Sequence, residues 1–441
     1  MKAAIPEGEL VRFSEFLAER TGLYFPPERW QELQQGIMAA CVEFGFEDAA
    51  SCVQALMAEP LTRQRKEILA SHLTVGETYF FRERPLFDEL ADRILPGLIL
   101  SRREGGRRLR LWSAGCCTGE EPYSLAILLH RLIPDIASWT VTILASDINP
   151  RFLQKAQAGE FRQWSFRDSP DWLAEHYFKK TRDGHYAILP EIRKMVTFAP
   201  LNLVEDTYPS LLSDTNAMDL ILCRNVVMYF TPEQGRQVIR KLGDSLVEGG
   251  WLGVSPSEVS LVGPDRLVSA GLPGVSLFRR GAGAGTTPPV TAGEDIRKEK
   301  STRADATPAK EFGVKAQALA NEGRLEEALV WCEKAIVANR FDASLHYLRA
   351  VILHEQGQLG EAVQSFHRAI YLQPDYVLAH FALGNVARQQ RKHKDASKHY
   401  RTVLRILRDS QPDHIVPESE GLTVARLFEI VTALLETERA A

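Results

Sequence analysis

Apolar positions recur every three to four residues through residues 9–20, 26–44, 48–58 and 62–74. Four stretches of that period predict a bundle of short helices. Pro26 and Pro27 suit a helix start, while Gly22, Gly45 and Pro60 suit stops. Residues 1–75 are therefore expected to form an all-α N-terminal domain. Between 109 and 253 the period shortens. Apolar runs at 109–114, 141–147, 195–202, 218–225 and 251–255 alternate with helical stretches, which predicts an α/β domain over 76–281 with a mainly parallel sheet. An irregular insertion at about 161–192 breaks the alternation. In it, Asp183 and Gly184 stand between two strand-like segments, a hairpin signal that predicts a small antiparallel β lobe. Such a lobe is either a decorative insertion or an exposed edge able to accept a peptide strand.

Large apolar residues almost vanish over 282–309. A segment of that composition cannot bury enough surface to order itself and reads as a flexible linker. Beyond it, over 310–441, Ala328, Ala362 and Ala396 recur at 34-residue intervals, and the same register aligns Ala350 with Gly384, Phe366 with Tyr400, and Ala335 with Ala369. That period is the tetratricopeptide (TPR) signature. Pro374 ends the second repeat, whereas Arg340 and Arg408 take the proline's place in the other two. Three helix pairs and a final helix at about 422–438 give a short stack with its last face covered.

Composition narrows the class. Hydrophobic content of 45% and charged content of 25% are those of an ordinary globular chain. A net charge of -4 gives no bulk electrostatic case for nucleic acid. The N-terminus lacks an apolar signal core, and no apolar stretch approaches the roughly 20 residues that span a bilayer. A cytoplasmic protein without direct membrane insertion is the expectation. Six scattered cysteines read as small reduced hydrophobes, with a redox role for adjacent Cys116 and Cys117 as the less favoured alternative. A basic cluster, Arg63, Arg65 and Lys66, reads first as a solvated helix face and second as a contact for an acidic partner.

Ligands of parallel sheets bind beyond the carboxyl ends of the strands, so residues just past each run carry the candidate chemistry. After the first run come Ser113, Ala114, Gly115 and Gly119, small enough for a ligand to approach the backbone, and then Glu120 and Glu121. Two carboxylates at a helix start repel a phosphate and attract a cation. S-adenosylmethionine carries a sulfonium and an ammonium; the bland alternative is a pair that only favours the helix N-terminus. Asp147 ends the second run, where an acidic side chain can accept ribose hydroxyl protons. Asn202 and Asn225 end the next two. Each alone could be a turn residue, but together they favour a nucleoside pocket.

The motifs TVGETYFFRE (74–83), LWSAGCCTGEEPYSLA (111–126), ASDIN (145–149), NL (202–203) and CRNVVMYF (223–230) stand in order. Over 71–281 the chain thus resembles the CheR family of chemoreceptor glutamate methyltransferases, and the preceding helices resemble that family's N-terminal domain. The resemblance implies a Rossmann-like S-adenosylmethionine-dependent methyltransferase domain. Its substrate would be glutamate side chains in the cytoplasmic domain of a chemoreceptor, and its product S-adenosylhomocysteine. A C-terminal TPR extension is similar to one class of these enzymes, associated with chemosensory pathways other than the basic flagellar one; its groove would take an unknown protein or peptide.

Position by position, the resemblance makes Thr78 and Arg82 cofactor or substrate contacts. Glu120 or Glu121 would hold the methionine end of the donor, Asp147 the ribose, Asn202 with Leu203 the adenine, and Asn225 with Val226 the region near sulfur. Tyr229 would lie beside the transferred methyl, with Arg82 gripping a carboxylate. Two positions depart from the family pattern: Gly76 replaces a common Asn, which puts one polar cofactor contact in question, and Cys117 replaces a usual Ser. The lobe also lacks the glycine-rich loop of peptide-dependent members, so receptor recognition independent of a tethering peptide is expected. The competing reading is a non-catalytic, S-adenosylmethionine-sensing scaffold that acts through its repeats.

Overall fold

The computed structural model describes residues 5–440 except 105, 211, 212, 265, 282–307, 409 and 420. The chain divides into two compact units, one of residues 1–208 and 217–283, the other of 209–216 and 284–441. The expected linker lies outside the described residues apart from its last two positions, which already belong to a helix.

The first unit begins with helices α1 (Glu7–Thr21), α2 (Trp30–Phe44), α3 (Ala49–Ala58) and α4 (Arg63–Leu73). They close around Phe13, Leu17, Leu33, Ile37 and Leu69, all fully buried, each contributing about 1.5–3 kcal/mol by leaving water. Side chains of Asp48 and Thr62 accept from the first-turn amides of Ser51 and Arg65, which starts α3 and α4. The basic cluster on α4 is spent within the chain: Arg63 pairs with Glu67, Arg65 with Glu59 and Lys66 with Glu205.

Then follow α5 (Arg84–Glu89), a π-helical turn (Leu90–Ile94), α6 (Leu95–Arg103), β1 (Arg108–Ala114), α7 (Glu120–Leu132), β2 (Thr140–Asp147) and α8 (Pro150–Ala158). The insertion supplies β3 (Glu160–Phe161), α9 (Trp172–Tyr177), β4 (Phe178–Lys180), β5 (Tyr186–Ile188) and α10 (Pro190–Arg193). The chain returns through β6 (Val196–Pro200), β7 (Met218–Leu222), α11 (Pro232–Ser245), β8 (Leu246–Gly253), β9 (Leu267–Ser269) and β10 (Leu277–Arg280).

The large sheet runs β6-β2-β1-β7-β8-β10-β9. Its first five strands pair in parallel and are the five apolar runs; β10 is antiparallel to both β8 and β9. The period of two divides the strand side chains between two cores: Leu111, Ile143 and Leu220 on one face, Trp112, Leu144 and Ile221 on the other. All five residues of β7 are buried, Asp219 among them with its carboxylate paired to Arg102, so the strand shows no alternation of apolar and polar positions. Because β2 and β7 flank β1 on opposite sides, the winding reverses there, and a crevice opens beyond the carboxyl ends of these strands.

The lobe is the three-stranded antiparallel sheet β3-β5-β4, closed by a turn in which Gly184 N donates to Thr181 O at 3.1 Å. Phe80 packs its ring 4.9–5.1 Å from those of Phe161, Phe166 and Phe178. That contact fixes the TYFFRE segment to the lobe.

The second unit contains α12 (Pro308–Asn321), α13 (Leu325–Ala338), α14 (Ala343–Glu355), α15 (Leu359–Leu372), α16 (Val377–Gln389), α17 (His393–Leu407) and α18 (Val424–Ala440). The first six form three helix pairs. The register alanines 328, 335, 350, 362, 369 and 396 are all fully buried, as packing between paired helices requires. Where Arg340 replaces the proline, Asp342 caps α14 by accepting from Ser344 N at 3.0 Å. Among the described residues, no helix is long and apolar enough to cross a membrane.

Candidate functional site

β1 delivers the chain to a loop, 115–119, in which Gly115, Cys117 and Gly119 all have positive φ. A Cβ at Gly115 would run into Val226, and one at Gly119 would lie 2.9 Å from Ala156 Cβ. The small residues thus let the loop, the turn after β7 and α8 close on one another. Between them lies a cleft of about 1010 Å³, open solvent at its mouth included.

Of the expected residues, Thr78, Arg82, Glu121, Asp147, Asn202, Leu203, Asn225, Val226 and Tyr229 line this cleft. Gly76, Ala114 and Glu120 are not in its wall. Glu120 faces the lobe instead, accepting from Thr118 Oγ1 at 2.7 Å and Ser165 Oγ at 2.9 Å, and burial raises its carboxyl above the ordinary range. Gly76 lacks room for a larger residue: a Cβ there would sit 2.7 Å from the Phe152 ring.

Asp147 ends β2 with both carboxylate oxygens engaged, Oδ2 accepting from Cys117 N and Oδ1 from Asn149 N, each at 2.8 Å. Burial nevertheless raises it to about 6. Asn202 spends Oδ1 on a local turn, accepting from Val204 N at 3.0 Å, so its turn role and its place in the cleft coexist. Asn225 has φ 57, in the left-handed region that asparagine enters more readily than other residues with a Cβ. Its buried Oδ1 has no partner within the protein. A buried acceptor without a partner, on a residue that lines the cleft, marks a candidate ligand contact.

Tyr229 closes a 3₁₀ turn, Val227–Tyr229, under the N-terminal helices: the Arg29 guanidinium lies 4.9 Å over its ring, and its backbone oxygen accepts from Tyr24 N at 2.8 Å. Burial holds its hydroxyl above the usual range, so it is a protonated donor at neutral pH. Arg82 donates to Glu77 O at 2.6 Å and lies 5.9 Å over the Tyr79 ring. Phe80 and Phe81, both buried, anchor the segment that presents Arg82.

Two side chains that sequence reasoning passed over complete the wall and its support. Arg224 is 2% exposed in its side chain and donates to Glu121 Oε2 at 2.9 Å and Arg82 O at 2.7 Å, with Glu83 Oε2 at 3.1 Å. Glu121 also accepts from Ser113 Oγ at 2.7 Å, so it is a held acceptor rather than a lone anion. Glu258, fully buried beyond β8, accepts from the amides of Asn225, Val226 and Met228 at 3.0, 2.7 and 3.3 Å. The Ser255-x-x-Glu258 spacing is a capping-box signature that marks a helical turn; nothing in it announces the second loop that Glu258 holds. All six cysteines are buried and none is in a disulfide. Burial pushes the Cys117 thiol up to about 12 and Cys116 well above its ordinary value, which leaves both uncharged and removes the basis for a redox role.

The residues fit S-adenosylmethionine. An orphaned amide acceptor at Asn225, a carboxylate at Asp147, an anchored carboxylate at Glu121 and a loop without side-chain bulk at Gly115 share one cleft.

Comparison with known proteins agrees. The family model described as CheR methyltransferase, SAM binding domain, matches residues 76–267, and a TPR repeat model matches 351–390. The chain is 32% identical over 263 residues to chemotaxis protein methyltransferase 1 of Pseudomonas aeruginosa, covering 58% of this chain and 92% of that protein. It is 29% identical over 352 residues to the probable biofilm formation methyltransferase WspC of the same organism, covering 72% and 81%. An uncharacterized 104.1 kDa protein of Rhodobacter capsulatus is 36% identical over 203 residues, which are 45% of this chain but 20% of that longer protein. The chain belongs to the CheR methyltransferase family, its S-adenosylmethionine-binding domain joined to a C-terminal set of tetratricopeptide repeats.

Proposed function

We propose that the protein methylates glutamate side chains in the cytoplasmic domain of a chemoreceptor, inside the cytoplasm and as part of a chemosensory pathway. The observation that carries this reading is the convergence of Arg82 and Tyr229, from distant parts of the sequence, on the cleft lined by Asp147 and Asn225. S-adenosylmethionine, when bound, supplies an electrophilic methyl group and leaves as S-adenosylhomocysteine. A glutamate with a pKa near ~4.3 is already ionised at neutral pH and needs no general base. The chain's task is alignment, which can contribute roughly 7–11 kcal/mol. Arg82 grips a carboxylate through its guanidinium, and the Tyr229 hydroxyl donates a hydrogen bond that fixes the attacking oxygen. The TPR unit binds a protein or peptide, the use to which stacked helix pairs are suited. Relatives named chemotaxis protein methyltransferase support the substrate class.

The test is transfer of a tritiated methyl group to a chemoreceptor cytoplasmic domain. Base-labile label that falls at least 100-fold in Arg82→Ala is the expected result. Absence of transfer to any receptor despite tight binding of the donor overturns the reading and leaves the sensing scaffold in its place. The lobe's tight turn at Gly184 suits recognition without a tether, so an isolated receptor tail peptide is expected not to bind the full chain.

A further inference from the structure

Glu258 lies outside the five stretches that carry the family resemblance, yet its carboxylate is the hub of the donor side of the cleft. Oε1 accepts from Val226 N at 2.7 Å and Met228 N at 3.3 Å, while Oε2 accepts from Asn225 N at 3.0 Å, Ser255 N at 2.9 Å and Ser255 Oγ at 2.7 Å. The side chain is fully buried. Three of these five donors are backbone amides of the turn that follows β7, at whose start Asn225 adopts the left-handed conformation. Asparagine enters that region at modest cost, and the three amide bonds to Glu258 hold the turn in it. From that turn Asn225 carries its orphaned Oδ1, and Val226 packs against Gly115 of the opposite loop.

We infer that Glu258 is a positioning residue for donor binding: it holds the 225–228 turn in the one backbone geometry that presents the Asn225 amide to the ligand. The inference rests on the reading of this cleft as the S-adenosylmethionine site, and it is independent of which acceptor is methylated.

Glu258→Gln keeps the shape but sets an NH2 donor against one pair of N–H donors. The experiment titrates S-adenosylhomocysteine into the full chain by calorimetry, for wild type, Glu258→Gln, Asn225→Ala and the double variant. The expected result is a Kd raised at least tenfold in each single variant, with the double variant within threefold of Asn225→Ala, because residues acting through one another are non-additive. In exchange experiments the amides of 225, 226 and 228 become labile in Glu258→Gln while those of β1 stay protected. Wild-type affinity in Glu258→Gln, or additive losses, overturns the inference, since a general loss of stability adds to any second defect. Should Glu258→Gln fail to fold, Ser255→Ala, which removes one of the five donors, is expected to raise Kd about threefold; unchanged affinity in that variant overturns the inference. Failure of the methylation reading would show differently, as intact product binding without label transfer.

Discussion

Arg224 and Glu121, 103 residues apart in sequence, meet at 2.9 Å in the wall of the cleft, with Arg224 side-chain exposure at 2% and Glu121 at 14%. The same guanidinium reaches Glu83 and the backbone oxygen of Arg82, so one buried cation ties the start of α7 to the segment that presents Arg82. Breaking a buried pair by removing one partner costs about 3–5 kcal/mol, because the other charge stays behind. Arg224→Ala is therefore expected to lower the melting temperature and to weaken S-adenosylhomocysteine binding at least tenfold. Arg224→Lys should recover little, since an ammonium cannot reproduce the planar fork that spans three partners. Calorimetric titration with thermal melting checks this; wild-type affinity in Arg224→Ala would sink it.

Asp147 predicts a pH dependence with two opposite signs. Its carboxyl is raised by burial to about 6 from an ordinary value of 3.8. Between those values the folded state holds a proton that the unfolded state has released, so this group's stabilisation is fully present below about 3.8 and lost as pH rises through 6. A ribose diol, by contrast, donates to the ionised form. Binding of S-adenosylhomocysteine is expected to fall as pH drops through 6, approaching tenfold per unit below it. Asp147→Asn should bind weakly with a flat profile over pH 5–8, and a wild-type profile as flat as the variant's would refute the assignment.

The family resemblance sets Gly76 at a position where Asn is common, and Phe152 stands in the space such a side chain would enter. With a Cβ at 2.7 Å from the ring tip, Gly76→Asn must displace the half-buried Phe152. The single variant is expected to melt lower than wild type without tighter product binding. In Gly76→Asn combined with Phe152→Ala the amide gains room, and affinity should exceed that of Phe152→Ala alone. Equal affinities in those two variants would show that the position makes no polar contact with the ligand.

Much of the fold was legible because the physics that builds it leaves long signatures. Strands buried on both faces give near-continuous apolar runs, and stacked helix pairs need a small residue every 34 positions, as Ala328, Ala362 and Ala396 supply. β9 and β10 left no such trace, being three and four residues long with exposed or half-exposed positions among them. In the site, Asp147 and Asn225 could be found because each closes an apolar run. Glu120 and Glu121 could not be told apart: adjacent residues at a helix start point in different directions, and only the fold places Ser165 beside one and Arg224 beside the other. Arg224 lies within CRNVVMYF, where nothing in the motif marks it as buried. A buried cation is recognised by its partners, and those come from 83 and 121.

The repeat unit holds a pair of histidines that should make its stability fall in mild acid. His380 Nδ1 and His399 Nδ1 lie 3.3 Å apart, while His380 Nε2 lies 3.0 Å from Pro374 O. A carbonyl oxygen only accepts, so Nε2 carries the His380 proton and its Nδ1 accepts from His399; protonating both rings would set two donors against each other. Burial lowers both rings, His399 to about 4, with neighbouring His367 and Lys398 acting in the same direction on His399 and Asp395 opposing them. Between the ordinary 6.5 and about 4 the unfolded chain binds a proton that the folded chain refuses, so the stabilisation is complete above 6.5 and lost as pH falls toward 4. From pH 7 to 5 the loss from His399 is on the order of 1 kcal/mol after allowance for partial exposure. That corresponds to roughly 2–4 °C in the melting of a unit this size. His399→Gln, neutral throughout, should melt with a correspondingly shallower pH slope, and melting curves from pH 4.5 to 7.5 decide: equal slopes for wild type and variant would show that the pair does not couple protonation to folding.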